Sequence, residues 1–255
     1  LKVAFTQKLK GGTPVIGTIV TIGSPEVAEV LAQCGYDWLF LDMEHGCFEP
    51  SAVQAMLQAI PPECNALVRI PECSAAWFKK ALDCGADGVI VPLVNTVEDA
   101  RRAVEFAKYP PVGARSVGIG RAHGYGMRFK EYVEAANDSV ALIIQIEHAR
   151  AVENIDAILA TPGIDGVLIG PYDLSASMGL MGQVQHARVR EAISLVRGKC
   201  RAKNIPVGGF SLTIEGATEA VQNGCSFVAV GTDMTLLSNA AKNSLAQLHS
   251  GPGKV

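Results

Sequence analysis

Four stretches carry charged or titratable residues at the ends of short apolar runs: Leu41-Asp42-Met43-Glu44-His45-Gly46, Leu67-Val68-Arg69-Ile70-Pro71, Ile144-Gln145-Ile146-Glu147-His148 and Ile169-Gly170-Pro171-Tyr172-Asp173. Runs of this length and β-branched content read as strands. Side chains alternate along a strand, so Gln145 and Glu147 share one face while Ile144 and Ile146 share the other. A carboxylate buried without a compensating cation costs several kcal/mol. Glu147, with Asp173 at the next strand end, therefore suits a hard divalent metal whose shell is completed by water and substrate oxygens. A salt bridge from either acid to an arginine is the alternative.

Arg69 is the one charge inside its apolar strand. Its planar guanidinium can grip a carboxylate or enolate oxygen in two-pronged fashion, or neutralise acids such as Glu44. His45 follows strand two with Asp42 and Glu44 close in sequence, so it reads either as a carboxylate-oriented general base or as a solvated loop histidine. His148 should point away from Glu147, and His123, His186 and His249 have no convergent neighbours. Every lysine, from Lys2 to Lys254, falls in a helix, a loop or a terminus. No strand lysine is available to form an imine with a carbonyl substrate, which leaves a Lewis-acid metal as the electron sink. Gly118-Ile119-Gly120-Arg121 lacks both the strand–turn–helix setting and the lysine of a nucleotide-binding loop. Arg121 within it and Arg115 just before it are candidates for a second substrate carboxylate.

Positioning these residues requires strands whose ends meet at one mouth. Strands are expected near 15–20, 37–42, 66–70, 88–92, 140–146, 166–170, 206–210 and 227–231, with helices near 24–34, 49–60, 74–84, 96–108, 150–160, 187–202, 213–223 and 235–249. Eight strand–helix units are the number a closed (β/α)8 barrel needs, and catalytic groups in such barrels sit at the C-terminal strand ends. The expectation is an α/β TIM barrel occupying 1–255 as a single domain, preceded by a short N-terminal helix that Gly11-Gly12 stops. Cys34-Gly35, Cys84-Gly85, Pro162-Gly163 and Asn223-Gly224 recur where a helix closes and a strand opens, as glycine at the helix C′ position would. Residues 109–126 form a Gly/Pro-rich excursion longer than the roughly 12–15 residues of an ordinary loop. It is expected on the catalytic face, as a lid, before a further helix near 128–137.

Hydrophobic residues make up 49% and charged residues 18% of the 255, enough to bury a large core. A net charge of −3 offers no basic excess for nucleic acid. No apolar run approaches the roughly 20 residues that span a bilayer, and the N-terminus lacks a secretory apolar core. The seven cysteines form no C-x-x-C pair, so buried inert thiols in a reducing cytoplasm are expected rather than disulfides or structural zinc.

With these residues placed, the chain resembles the HpcH/HpaI family of metal-dependent (class II) 2-oxo acid aldolases. The resemblance is carried by Asp37–His45, Val68-Arg69-Ile70-Pro71, Gly88–Val94, Gln145-Ile146-Glu147 and Asp165–Ser175, in order across most of 12–240. It implies reversible cleavage of a 4-hydroxy-2-oxo acid to pyruvate and an aldehyde through an enolate, with Glu147 and Asp173 holding Mg²⁺, Mn²⁺ or Co²⁺. Arg69 would hold the pyruvyl oxygens, Gln145 would position water, and backbone N–H groups in the loop after Gly170, with Tyr172 and Asp173, would meet the substrate. His45, helped by Asp42 and by Asp83 from this chain or a neighbouring subunit, would manage the proton. A homohexamer with exchanged C-terminal helices is also implied. Strand one (Thr18-Ile19-Val20) and strand seven (Gly209 to Leu212) are where relatives of different aldehyde preference diverge. The segment Arg121–Gly126 resembles relatives with other pyruvate-enolate chemistry, so oxaloacetate decarboxylation or carbon–carbon bond formation on the same site stays open. A non-catalytic barrel that binds a 2-oxo acid is the remaining alternative.

Overall fold

Each of the eight apolar runs forms a strand in a computed structural model of the chain, which describes residues 2–250. The strands are β1 (Val15–Val20), β2 (Trp38–Asp42), β3 (Asn65–Arg69), β4 (Gly88–Val91), β5 (Ala141–Ile146), β6 (Gly166–Ile169), β7 (Val207–Ser211) and β8 (Phe227–Thr232). All neighbours are parallel and β8 pairs back onto β1, so the sheet closes as a (β/α)8 barrel. The helices are α1 (Phe5–Lys10), α2 (Pro25–Gln33), α3 (Pro50–Ala59), α4 (Ala75–Asp83), α5 (Val97–Ala107), α6 (Phe129–Ser139), α7 (Ala149–Glu153), α8 (Ile155–Ile158), α9 (Pro171–Ser177), α10 (Ala187–Ala202), α11 (Ile214–Gln222) and α12 (Asp233–Ser250). Leu1 of the expected N-terminal segment and Lys254 lie outside the described residues. Among those described, no helix is long and apolar enough to cross a membrane.

Strand alternation divides the core in two. Outward residues such as Val68, Val89, Ile144 and Ile146 pack under the helices, while Ile19, Phe40, Leu67, Ile90, Ile143 and Leu168 fill the barrel. At the N-terminal strand ends Trp38 and Phe227 face each other with ring centroids 5.9 Å apart. Phe5 of α1 packs at 5.5 Å from Trp38 and plugs that end. The inward side chains of the final layer are instead Asp42, Arg69 and Gln145, so the barrel is apolar below and charged at its mouth.

The four helix-closing glycines, Gly35, Gly85, Gly163 and Gly224, have φ of +94, +91, +95 and +89°, the left-handed turn expected of them. Three expectations need correction. The helix near 150–160 is broken at Asn154, whose amide donates to the Asn95 carbonyl. Strand six stops at Ile169, because Pro171 starts α9 and fits the first helical position, so Asp173 lies in a helical first turn. Residues 109–126 are no lid over the mouth. They follow α5, which has already run back to the N-terminal end of the barrel. There Arg115 pairs with Asp83 at 2.9 Å, and Arg121 donates to the carbonyls of Leu57 and Cys84 at the ends of α3 and α4. Both arginines therefore lie at the end of the barrel away from this chain's own mouth, and a substrate carboxylate bound at that mouth is out of their reach. Among the cysteines, burial pushes the thiols of Cys64 and Cys200 up to about 12, but Cys34 and Cys47 are exposed.

Candidate active site

Register places Asp42 directly beside Arg69 on neighbouring strands, both facing inward. Arg69 Nε donates to Asp42 Oδ1 at 2.8 Å and Nη2 to Oδ2 at 2.7 Å, a two-pronged pair. The guanidinium lies 5.0 Å from the Phe40 ring centre, and Nη1 reaches Gln145 Oε1 at 3.5 Å. Burial opposes the Arg69 charge, but the bonds and charge of Asp42, then Glu44 and Glu147, outweigh it and hold its pKa above the usual value. Glu44 Oε2 sits 3.1 Å from Arg69 Nε, yet that N–H is aimed at Asp42, so this buried oxygen has no hydrogen bond among the described residues. Burial raises the Glu44 pKa, with Arg69 opposing and Glu147 adding to the rise.

Glu147, one residue past β5, is 4% exposed. Both oxygens are gripped: the Leu93 backbone N–H donates to Oε1 at 2.7 Å and Gln145 Nε2 donates to Oε2. Burial raises its pKa; the Leu93 and Gln145 bonds oppose this, and the nearby Asp173 charge adds to it. Gly170 lies alongside, and a Cβ there would come within 2.9 Å of Glu147 Cβ and 3.1 Å of Oε2. The backbone is thus kept bare against the carboxylate. Asp173 is exposed in the first turn of α9, where backbone N–H groups have no intrahelical acceptor. A cavity of about 160 Å³ opens onto His45, Arg69, Gln145, Gly170, Tyr172, Asp173, Phe210 and their apolar surroundings.

Three carboxylates, Asp42, Glu44 and Glu147, therefore crowd the Arg69 guanidinium, and Asp173 adds its charge beside Glu147 on the same cavity. The surplus of negative charge, the unbonded Glu44 oxygen and the bare Gly170 backbone suit a divalent cation at Glu147 and Asp173. Among the described residues no three His, Cys, Asp or Glu side chains form a metal-holding group by themselves. The protein side is two carboxylates, with the remaining positions left to water and substrate oxygens, as magnesium-like ions tolerate.

His45 is exposed in the turn after β2. Asp42 does not orient its ring: both Asp42 oxygens hold Arg69, and Oδ1 also accepts the backbone N–H of Glu44 and of His45 at 3.1 and 3.3 Å. Asp83 closes α4 at the opposite end of the barrel and cannot reach His45 of its own chain. Leu212, 45% exposed, follows β7 at the mouth, and Tyr172 packs on Phe210 with centroids 6.4 Å apart. His148 and His186 each cap a helix, and His123 is buried against Tyr109, Phe129 and Tyr132, away from the mouth. Sequence reasoning missed the backbone N–H of Leu93, but it singled out the strand-one and strand-seven stretches that bring Ile19 and Phe210 to the cavity. The inward period of β1 and β7 pointed to the last two, whereas nothing marked a leucine backbone N–H.

A closed parallel barrel with an acid-rich, arginine-bearing mouth at its C-terminal strand ends has the architecture of a barrel enzyme with its active site at that mouth. Residues 17–240 match the model of the HpcH/HpaI aldolase/citrate lyase family, and the chain belongs to that family. It is 37% identical over 254 residues to a hydroxypyruvate/pyruvate aldolase of Paraburkholderia phytofirmans, covering 96% of both chains. It is 38% identical over 253 residues to a 2-keto-3-deoxy-L-rhamnonate aldolase of Escherichia coli, covering 97% of this chain and 93% of that one. A crystal structure of a family member from Burkholderia cenocepacia superposes with a TM-score of 0.92 at 35% identity, over 96% of this chain and 98% of that one. The chain is thus a carbon–carbon lyase of the aldolase type.

Proposed function

We propose that the chain reversibly cleaves a 4-hydroxy-2-oxo acid to pyruvate and an aldehyde, with Mg²⁺, Mn²⁺ or Co²⁺ held by Glu147 and Asp173. The buried Glu147 in a surplus of acid around Arg69 carries this reading. When bound, the metal supplies Lewis-acid polarisation of the 2-oxo group. Arg69, fixed by Asp42, grips the pyruvyl oxygens and stabilises the charge that develops as the C3–C4 bond breaks. Gln145 holds a water, and the first-turn N–H groups after Gly170, with Tyr172, meet the substrate carboxylate. His45 takes the 4-hydroxyl proton, the C3–C4 pair passes into the enolate, the aldehyde leaves, and C3 is reprotonated to give pyruvate. Asp83 of the partner subunit would assist His45, since Asp83 lies at the wrong end of its own barrel. Tyr172, Phe210 and Leu212 line the aldehyde side. From Leu236 to His249 every residue of α12 is exposed, which supports helix exchange within a cytoplasmic homohexamer.

Decarboxylation of oxaloacetate on the same enolate is the second reading, favoured because among the described residues of this chain no side chain hydrogen-bonds the His45 ring. That reaction needs no base on a hydroxyl. Incubation with Mg²⁺ and oxaloacetate, then with pyruvate and a panel of aldehydes, compares the two. Turnover should vanish in chelator and in Glu147→Ala, and turnover retained in chelator overturns the metal reading. His45→Ala should slow aldol cleavage far more than decarboxylation; equal losses remove His45 from the base role.

A further inference from the structure

β4 ends at Val91, and the chain leaves the barrel through Pro92-Leu93-Val94. Leu93 has φ +54°, in the left-handed region that a Cβ disfavours. Two other described residues share this feature. Asn204 is of a type that tolerates it, and Tyr125 lies between Gly124 and Gly126 in an exposed turn. Leu93 has neither excuse. Its side chain is 56% exposed, so no packing of the leucine repays the conformation. Pro92 and Val94 on either side are buried, Val94 completely, and they hold the peptide between them. The turned backbone directs the Leu93 N–H to Glu147 Oε1 at 2.7 Å, opposite the Gln145 grip on Oε2.

We infer that the left-handed turn at Leu93 is a positioning device, which uses a main-chain N–H to set the plane of the Glu147 carboxylate for metal binding. The inference rests on Glu147 being a metal ligand. Strained backbone persists where its surroundings over-determine it, and partners of a ligating carboxylate tune metal affinity. Because the leucine side chain faces solvent, substitutions there act through the backbone. A β-branched residue resists positive φ most strongly, whereas glycine and asparagine accept it.

The test is Mn²⁺ affinity measured by calorimetry on the intact protein and on Leu93→Gly, Leu93→Asn and Leu93→Ile. Leu93→Ile should bind about tenfold more weakly, and the other two within about threefold of the parent. Parental affinity in Leu93→Ile, or an equal loss in Leu93→Gly, overturns the inference. Should Leu93→Ile fail to fold, amide exchange decides the matter in the unsubstituted protein. The Leu93 N–H should exchange slowly despite its exposed side chain and quickly in Glu147→Ala; fast exchange in the parent overturns the inference. Parental Mn²⁺ affinity in Glu147→Ala would remove the ligand reading itself. Loss in Glu147→Ala with none in Leu93→Ile would remove only the positioning role.

Discussion

The barrel buries two arginines in closely similar settings at its two ends. Arg69 at the mouth is 8% exposed, bonded to Asp42 and set 5.0 Å over Phe40. Arg115 is 3% exposed, bonded to Asp83 and set 4.6 and 5.6 Å over Tyr109 and Tyr132. A buried guanidinium stacked on a ring and paired with an aspartate is thus not in itself a site. The difference lies in the surroundings. Arg69 shares its neighbourhood with Glu44, Glu147 and Asp173 and opens onto a cavity. Among the described residues Arg115 has one acid, Asp83, and its other neighbours are the phenols of Tyr109 and Tyr132, so one carboxylate balances its charge. Surplus charge beside an open volume, rather than buried charge, distinguishes chemistry from packing.

Substituting each arginine should separate the two roles. Arg69→Met leaves Asp42 uncompensated, so stability should fall by about 3–5 kcal/mol. Turnover should disappear while Mn²⁺ affinity holds or tightens, because a nearby positive charge is gone. Arg115→Met should cost about 1–3 kcal/mol, less because Asp83 is partly solvated, and leave Mn²⁺ affinity unchanged. Weaker Mn²⁺ binding in Arg69→Met would put the metal elsewhere. Metal itself is the next lever: Mn²⁺ at about a hundredfold excess over its Kd should stabilise the protein by about 2.7 kcal/mol in denaturant titrations. The same addition to Glu147→Ala should do nothing.

Glycines at the two ends offer a finer contrast. Gly170→Ala presses a Cβ to 2.9 Å from Glu147 Cβ and should weaken Mn²⁺ binding about tenfold. Gly118→Ala brings a Cβ only to 3.2 Å from Asp83 Oδ2 and should leave that affinity unchanged. The smallest effect belongs to His123, fully buried beside Tyr109 with Nδ1 unbonded. Burial lowers its pKa, with Asp83 opposing and Arg115 adding. The unfolded chain then binds the proton better, so stability is complete above about pH 6.5 and declines as pH falls from there toward the lowered folded value. Denaturation of His123→Phe at pH 5 and pH 8 should show that this part of the pH dependence has gone.

The barrel was readable because its signals are local: β-branched runs, amphipathic helices and glycines such as Gly35 and Gly85 at helix ends. Inward placement of Gln145 and Glu147 followed from alternation along β5. Errors arose where direction or neighbours decide. The 109–126 excursion follows a helix, not a strand, and helices run back to the N-terminal end, so chain order would have placed it away from the mouth. Pro171 signalled a helix start that reading on from Ile169 as strand overlooked. Asp42 stands three residues from His45 in sequence, yet register across to β3 gives its oxygens to Arg69. Leu93 was invisible, since its contribution is a main-chain N–H in a conformation no leucine advertises.

The central claim is that the acid surplus around Arg69 binds a divalent metal and stabilises the enolate of pyruvate. Deuterium exchange at the pyruvate methyl group, followed by NMR in D₂O with no aldehyde present, tests this without knowledge of the second substrate. Exchange should require added Mg²⁺ or Mn²⁺, stop in chelator, and be absent from Glu147→Ala. Exchange that persists in chelator, or that Glu147→Ala supports at the parental rate, would contradict the account.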